Sequence, residues 1–306
     1  MRYLLRRAAL YVAILLAVVV FFIVALHLIQ ATYNPAYSYG DALVDGVQHV
    51  WDYFVSLAQG NWGVTNPNAD PDAVVRVITE AYPRSMGLLL VSLALGSTIG
   101  ILLGTVSAVS RRPGISLATL SLSILGISAP AFFLAVILQA VVIRFNVTFG
   151  IRLMTVGGFG WDEHLILPAI VLAARPLAQL ARVTFVTLNR ILAQDYIRTA
   201  LAKGLSTNQM LRRHALKNAA IPILTAMGVS LRFSLSTLPV VEVIFAWPGI
   251  GYEFFRSLLR PTPRTDPAVL VTIVLLMGMT FIVVNLLLDG LYRLLDPRLR
   301  DIVSRD

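Results

Sequence analysis

Apolar runs long enough to cross a hydrocarbon layer recur along this chain, separated by polar turns. A helix needs about 20 predominantly apolar residues to span a bilayer, and about six stretches meet that length: Ala8 to Ile29, Ser85 to Val109, Ile115 to Phe145, Leu165 to Asn189, Ala219 to Phe245 and Ala268 to Leu291. The first follows the basic start Arg2, Arg6 and Arg7 and ends at His27, Gln30 and Tyr33. It exceeds the apolar core of about 7–15 residues typical of a cleavable signal, so it reads as a retained span. Residues 32–84, with Asn34, Pro35, Asn61, Asn66, Pro67, Asn68, Asp70, Pro71 and Asp72, hold no apolar run of spanning length and read as an aqueous loop or small cap. Pro130, Pro168, Pro176, Pro222 and Pro239 interrupt the later spans. Proline survives in a spanning helix where neighbouring groups satisfy the freed carbonyls, so these positions predict kinks and helix packing. The pattern divides into an N-terminal helix (1–31), an external segment (32–84), a core of five helices (85–293) and a tail (294–306). No internal repeat is evident.

Composition agrees with a chain built for lipid. Of 306 residues, 57% are hydrophobic and 13% charged, against about 25% charged in soluble domains. The expected class is all-α and polytopic. Cysteine is absent, which removes disulfides and thiolate chemistry. The net charge of +9 is explained by loops and implies no nucleic acid. Placing the N-terminus inside puts Arg2, Arg6, Arg7, Arg111, Arg112, Arg190, Arg198, Lys203, Arg212, Arg213, Lys217, Arg293, Arg298, Arg300 and Arg305 on the cytoplasmic side, as the positive-inside rule asks. Arg256, Arg260 and Arg264 are exceptions. The expected location is the plasma membrane of a prokaryote, with both termini cytoplasmic and lipid as surroundings.

The most informative stretch is the cytoplasmic connection at 190–218. Asp195 to Pro222 reads as two short helices: Ala200, Leu201 and Ala202 favour helix, Gly204 permits a turn, and Ser206 or Thr207 can cap a second helix through Met210 to Leu216. Leu205, Met210 and Leu211 remain apolar among positive charges, which suits a helix that docks in a groove of another protein. A basic loop held near anionic lipid, at about 1 kcal/mol per charge, explains the arginines but not Gly204, the alanines or the apolar side chains.

The run Arg198-Thr199-Ala200-Leu201-Ala202-Lys203-Gly204, with His214-Ala215-Leu216 and Asn218, resembles the EAA loop of ABC importer permeases in its dipeptide and oligopeptide version. Arg198-Thr199-Ala200 stands where the general pattern has Glu-Ala-Ala, and Lys217 where it has proline; the peptide subfamily tends to show both. Val241 to Gly251 (VEVIFAWPGIG) resembles the stretch leaving the family's fifth span. Asn285 to Arg298 resembles its last span and tail, and Gly60-Asn61-Trp62-Gly63 a weaker external marker. The resemblance covers nearly the whole chain and implies the type I ABC importer permease fold. It implies that Asp195, Arg198, Thr199, Ala200, Lys203, Gly204, Leu205, Met210, Leu211 and His214 form a coupling helix seated on an ATPase subunit. The implied partners are a second, paralogous permease subunit, two ATPase subunits and an extracytoplasmic substrate-binding protein. ATP and Mg would be bound by the ATPases and no cofactor by this chain. Dipeptides, oligopeptides, nickel chelates or other small solutes are the implied cargo.

Intramembrane charges carry penalties of roughly 2.5–3.5 kcal/mol near a helix centre, so Arg175, Arg182, Arg232 and Glu242 need reasons. They can line a translocation path, or they can be structural: Arg182 can snorkel to an interface, and Arg232 and Glu242 can pair in a partner subunit. Asp289 is expected to pair with Arg293 at i, i+4. His27, His49, His164 and His214 lack metal-ligand spacing, so no metal is expected. Trp161, Trp247 and Tyr252 read as an interfacial aromatic belt, with Trp51 and Trp62 in the external segment. No G-x-x-x-x-G-K-[ST] phosphate loop occurs, so ATP hydrolysis is assigned to partners and the chain reads as non-catalytic. The alternative from another class is an ion-coupled secondary transporter or channel using Arg175, Arg182 and Glu242, although such folds usually show repeats.

Overall fold

The computed structural model describes residues 2–33, 37–60, 73–110, 112–259 and 267–295. Trp62 and the basic residues beyond 295 fall outside them. The described residues form ten helices: α1 (Arg2–Tyr33), α2 (Tyr39–Ala58), α3 (Ala73–Val109), α4 (Pro113–Ser128), α5 (Ala131–Phe149), α6 (Ile166–Leu192), α7 (Asp195–Ala202), α8 (Thr207–Ile244), α9 (Ile250–Leu259) and α10 (Pro267–Leu295). Six have the length and composition to cross a membrane, within Arg6–Ile29, Ala73–Val109, Ala131–Phe149, Glu163–Leu192, Thr207–Ile244 and Ala268–Leu291.

One expectation is corrected. The apolar stretch Ile115 to Phe145 is not one span but two helices, α4 and α5. Proline disfavours helical backbone in the residue before it, and Ala129 (φ −70°, ψ 123°) and Pro130 (φ −62°, ψ 135°) are both extended, so the helix stops instead of kinking. Pro176, Pro222 and Pro239, by contrast, lie inside continuous helices, and Pro168 sits in the first turn of α6, where no N–H is required. Within residues 32–84, read as an aqueous loop or small cap, a helix forms. Ser38 caps α2, its Oγ accepting the N–H of Gly40 (3.1 Å) and of Asp41 (3.2 Å), and the 20-residue helix that follows packs on α1.

The chain folds as two compact units, residues 1–85 with 248–290 and residues 86–247 with 291–306. In the first, Val19 and Ile23 of α1, Tyr53 of α2 and Val271 and Leu275 of α10 form one apolar cluster. Val74, Val77, Ala81, Ile250, Ala268, Val269 and Ile273 form another. The Asp289 carboxylate accepts from Arg7 at 2.6 Å, tying the ends of α10 and α1 together; the Arg293 side chain expected beside it lies outside the described side chains. Buried Ser85 accepts the N–H of Ile250 (2.8 Å), one of the donors that open α9.

In the second unit α6 is the central helix. Gly96, Gly100 and Gly104 of α3 lie at four-residue spacing against its backbone; a methyl group on them would stand 2.6, 2.6 and 2.5 Å from the carbonyl oxygens of Ala173, Leu177 and Ala181. Only hydrogen fits there, which is the small-residue route to close helix packing in membranes. Gly126 brings α4 onto Ala178 in the same way. α6 also packs on α8, and its Leu172, Leu180 and Leu188 are buried.

Candidate functional site: the α6–α8 connection and the buried charges

The connection after α6 has a defined shape. α7 ends in a left-handed residue, Gly204 at φ 87°, and the N–H of Leu205 reaches back to the carbonyl of Ala200 at 3.3 Å. This six-to-one closure is a Schellman cap. A second helix begins two residues later: Ser206 Oγ accepts from the N–H of Gln209 (3.3 Å), and Gln209 Oε1 accepts from the N–H of Ser206 (3.2 Å). This reciprocal capping box satisfies two donors at the helix start. The second helix does not stop near Leu216 as the sequence suggests. It passes through a π-helical turn, Leu211–Ala215, directly into the rest of the long α8, so the turn at Gly204 leads straight into a span.

Burial sorts the expected coupling residues. Ile197 is 1% exposed and Met210 4%, both packed with Leu188, Ile191, Ala215 and Ala219. Met210 is thus corrected from an outward docking residue to an anchor beneath the loop. Ala200, Leu205, Leu211 and His214 are half-buried, while Asp195, Arg198, Thr199, Lys203 and Gly204 are exposed. Asp195 and Arg198 approach to 3.7 Å in the open, an ion pair of the kind that contributes at most about 1 kcal/mol. Tyr196 accepts from Asn218 Nδ2 at 2.8 Å, joining α7 to the base of α8.

The four intramembrane charges sit in different settings. Arg175 is half-buried on α6; its guanidinium carbon stands 3.4 Å from the centre of the Phe233 ring, and Nη1 donates to the Ile127 carbonyl at 3.3 Å. A desolvated cation–π contact contributes about 2 kcal/mol and a hydrogen bond from a charged donor about 1.5–3. The two together work against the insertion penalty of roughly 2.5–3.5 kcal/mol, while the Arg175 Nε is buried without a hydrogen-bond partner among the described residues. Arg182 is exposed and Arg232 half-buried, with its Nε buried and unpaired among the described residues. Glu242 is fully buried, and its carbonyl accepts the N–H of Trp247 at 2.8 Å. It is therefore withdrawn from the surface residues of a path. Among the described residues no group of three or more His, Asp and Glu gathers as a metal site would require.

Trp247 is also corrected. It is completely buried, edge-on to Phe159 (4.9 Å) and Trp161 (5.5 Å), and is a core residue, not a belt anchor. Phe159 and Trp161 are themselves exposed. Beneath them Gln139 Nε2 donates to the carbonyls of Ile244 (3.0 Å) and Val156 (3.3 Å), serving chain ends that helix bonds leave open. Ala246 turns the chain at φ 50°, the same closure as at Gly204 but without glycine.

Comparison with known proteins fits this architecture. Residues 96–301 match the family described as binding-protein-dependent transport system inner membrane component. The glutathione transport system permease protein GsiC of Escherichia coli strain K12 is 34% identical over 250 residues, covering 82% of this chain and 78% of that protein. GsiC of Salmonella choleraesuis strain SC-B67 aligns with the same identity and coverage. Among solved structures, the inward-facing MetNI methionine ABC transporter superposes with a TM-score of 0.54 at 19% identity, over 73% of this chain and 96% of that one. An amino acid ABC transporter with histidines gives 0.53 at 15%, over 72% and 94%. The fold is that of ABC importer permeases, and the chain belongs to the binding-protein-dependent transport system inner membrane component family as a membrane-spanning permease subunit.

Proposed function

We propose that this permease moves peptides of the glutathione or di- and oligopeptide class and receives its driving force through the Gly204 turn. The observation that carries the second part is the division of the 195–210 connection: Ile197 of α7 and Met210 at the start of α8 hold it to the core while Arg198, Thr199, Lys203 and Gly204 stand clear. An element anchored on one face and open on the other transmits a push without deforming, as coupling between distant sites requires. Its continuity with α8 carries the displacement into a spanning helix. ATP and Mg belong to two partner ATPases, a second permease subunit completes the path, and an external binding protein delivers the cargo. Both termini and the Gly204 turn face the cytoplasm, where the basic residues gather. The relation to GsiC supports the substrate class. Exposed Arg182 and the half-buried Arg175 and Arg232 are the charges that meet the path.

Site-specific cross-linking tests the coupling reading. A photoreactive side chain at Thr199 or Lys203 in the assembled complex captures an ATP-binding subunit, whereas one at lipid-exposed Val18 does not. An active complex in which neither loop position captures an ATPase overturns the assignment.

A further inference from the structure

α1 and α10 together provide a depth scale within the first unit. Arg7 and Asp289 pair at one end. His27 lies about 20 residues along α1 from Arg7, and Ala268 about 21 residues along α10 from Asp289. At about 1.5 Å per residue each is about 30 Å from the pair, the thickness of a hydrocarbon core. The two scales agree, because His27 and Ala268 line one small cavity with Ile23, Leu26, His49 and Tyr53. That level is the far boundary of the hydrocarbon.

α2 crosses this boundary and goes inward. It runs against the direction of α1: Gly46 faces Val24 and His27, the His49 ring meets His27 Nε2 at 3.2 Å, and Tyr53 is buried with Val19, Ile23, Val271 and Leu275. Val271 and Leu275 lie inside Ala268 by about 5 and 10 Å of helix rise, and Phe54 and Leu57 pack on the same cluster. Shifting the layer to leave Tyr53 outside would draw Arg7 and Asp289 into hydrocarbon, at roughly 2.5–3.5 kcal/mol per charge.

The outward face of α2 at this depth is apolar. Val47, Trp51 and Val55, at i, i+4 and i+8, are 64%, 72% and 39% exposed. We propose that α2 is a re-entrant helix whose second half is inserted in the leaflet opposite the Arg7–Asp289 pair, with Trp51 and Val55 against acyl chains. α1 likewise exposes apolar Val18, Val20 and Phe21 at about this depth. Trp51 falls near the boundary, where tryptophan is favoured. Asp52, about 100° round the helix from Trp51, joins Asp41, Asp45 and Gln48 on an exposed polar arc that needs water. The inference requires only that the chain spans a membrane, not the proposed cargo or coupling.

The cysteine-free chain permits a direct test. Trp51→Cys and Val55→Cys, with Phe21→Cys and Asp45→Cys as lipid and water references, are labelled with an environment-sensitive fluorophore and the assembled complex is reconstituted in vesicles. The expected result is loss of emission in brominated-lipid vesicles at both test positions, matching Phe21→Cys, with no quenching by aqueous iodide. Iodide quenching matching Asp45→Cys, which marks an aqueous helix, overturns the proposal. Quenching by neither probe, which marks a face covered by another subunit, overturns it as well.

Discussion

Asp289 and Arg7 meet at 2.6 Å although 282 positions separate them, and they fasten α10 to α1. The Asp289 side chain is 11% exposed and that of Arg7 41%, so removing the arginine strands a carboxylate with little water. Arg7→Gln is expected to destabilise the chain by about 1–3 kcal/mol, read as a lower unfolding temperature in detergent. The double variant Arg7→Gln with Asp289→Asn should lose less than the two single changes combined, since it leaves no unpaired charge.

Close approach of α3 to α6 predicts a sharp contrast between glycines. Gly100→Ala places a methyl group 2.6 Å from the Leu177 carbonyl and should destabilise by about 1–3 kcal/mol. Gly114→Ala, in open space at the start of α4, should be nearly neutral. Thermal unfolding of the two purified variants side by side checks this.

Ala246 holds φ 50° with a side chain present, a conformation that costs an L-residue roughly 1–2 kcal/mol. Ala246→Gly relieves that strain at the price of some unfolded-state entropy, about 0.5–1 kcal/mol. A small net rise in unfolding temperature is expected, and a fall would show that the alanine methyl makes a stabilising contact.

How much was legible beforehand follows from the range of each interaction. Hydropathy located the spanning helices because lipid exposure acts on every residue of a run, and local capping chemistry marked Gly204 and Ser206. The break at Pro130 was misread because composition on both sides of Ala129 is equally apolar, and only backbone geometry distinguishes a stop from a kink. The pairing of Asp289 with Arg7 is not visible in the sequence, which exposes neighbours and not the antiparallel return of α1. Glu242, Met210 and Trp247 were expected at surfaces; their burial depends on what packs over them. The Gly96, Gly100, Gly104 spacing was readable as a packing face, yet it is hidden in hydropathy because glycine interrupts no apolar run. α2 was missed for a similar reason: its apolar residues divide between a face packed on α1 and an exposed face, with acids between.

Gly204 gives the most direct test of energy transfer through this loop. A side chain there would meet nothing within 4 Å, so substitution acts through φ 87° alone. Asparagine tolerates left-handed backbone better than alanine, and β-branched valine tolerates it least. The measurement is ATPase activity of the reconstituted complex with and without substrate-loaded binding protein. The account predicts that stimulation declines in the order Gly204, Gly204→Asn, Gly204→Ala, Gly204→Val, while the complex stays assembled and unstimulated activity persists. Full stimulation in an assembled Gly204→Val complex would contradict it.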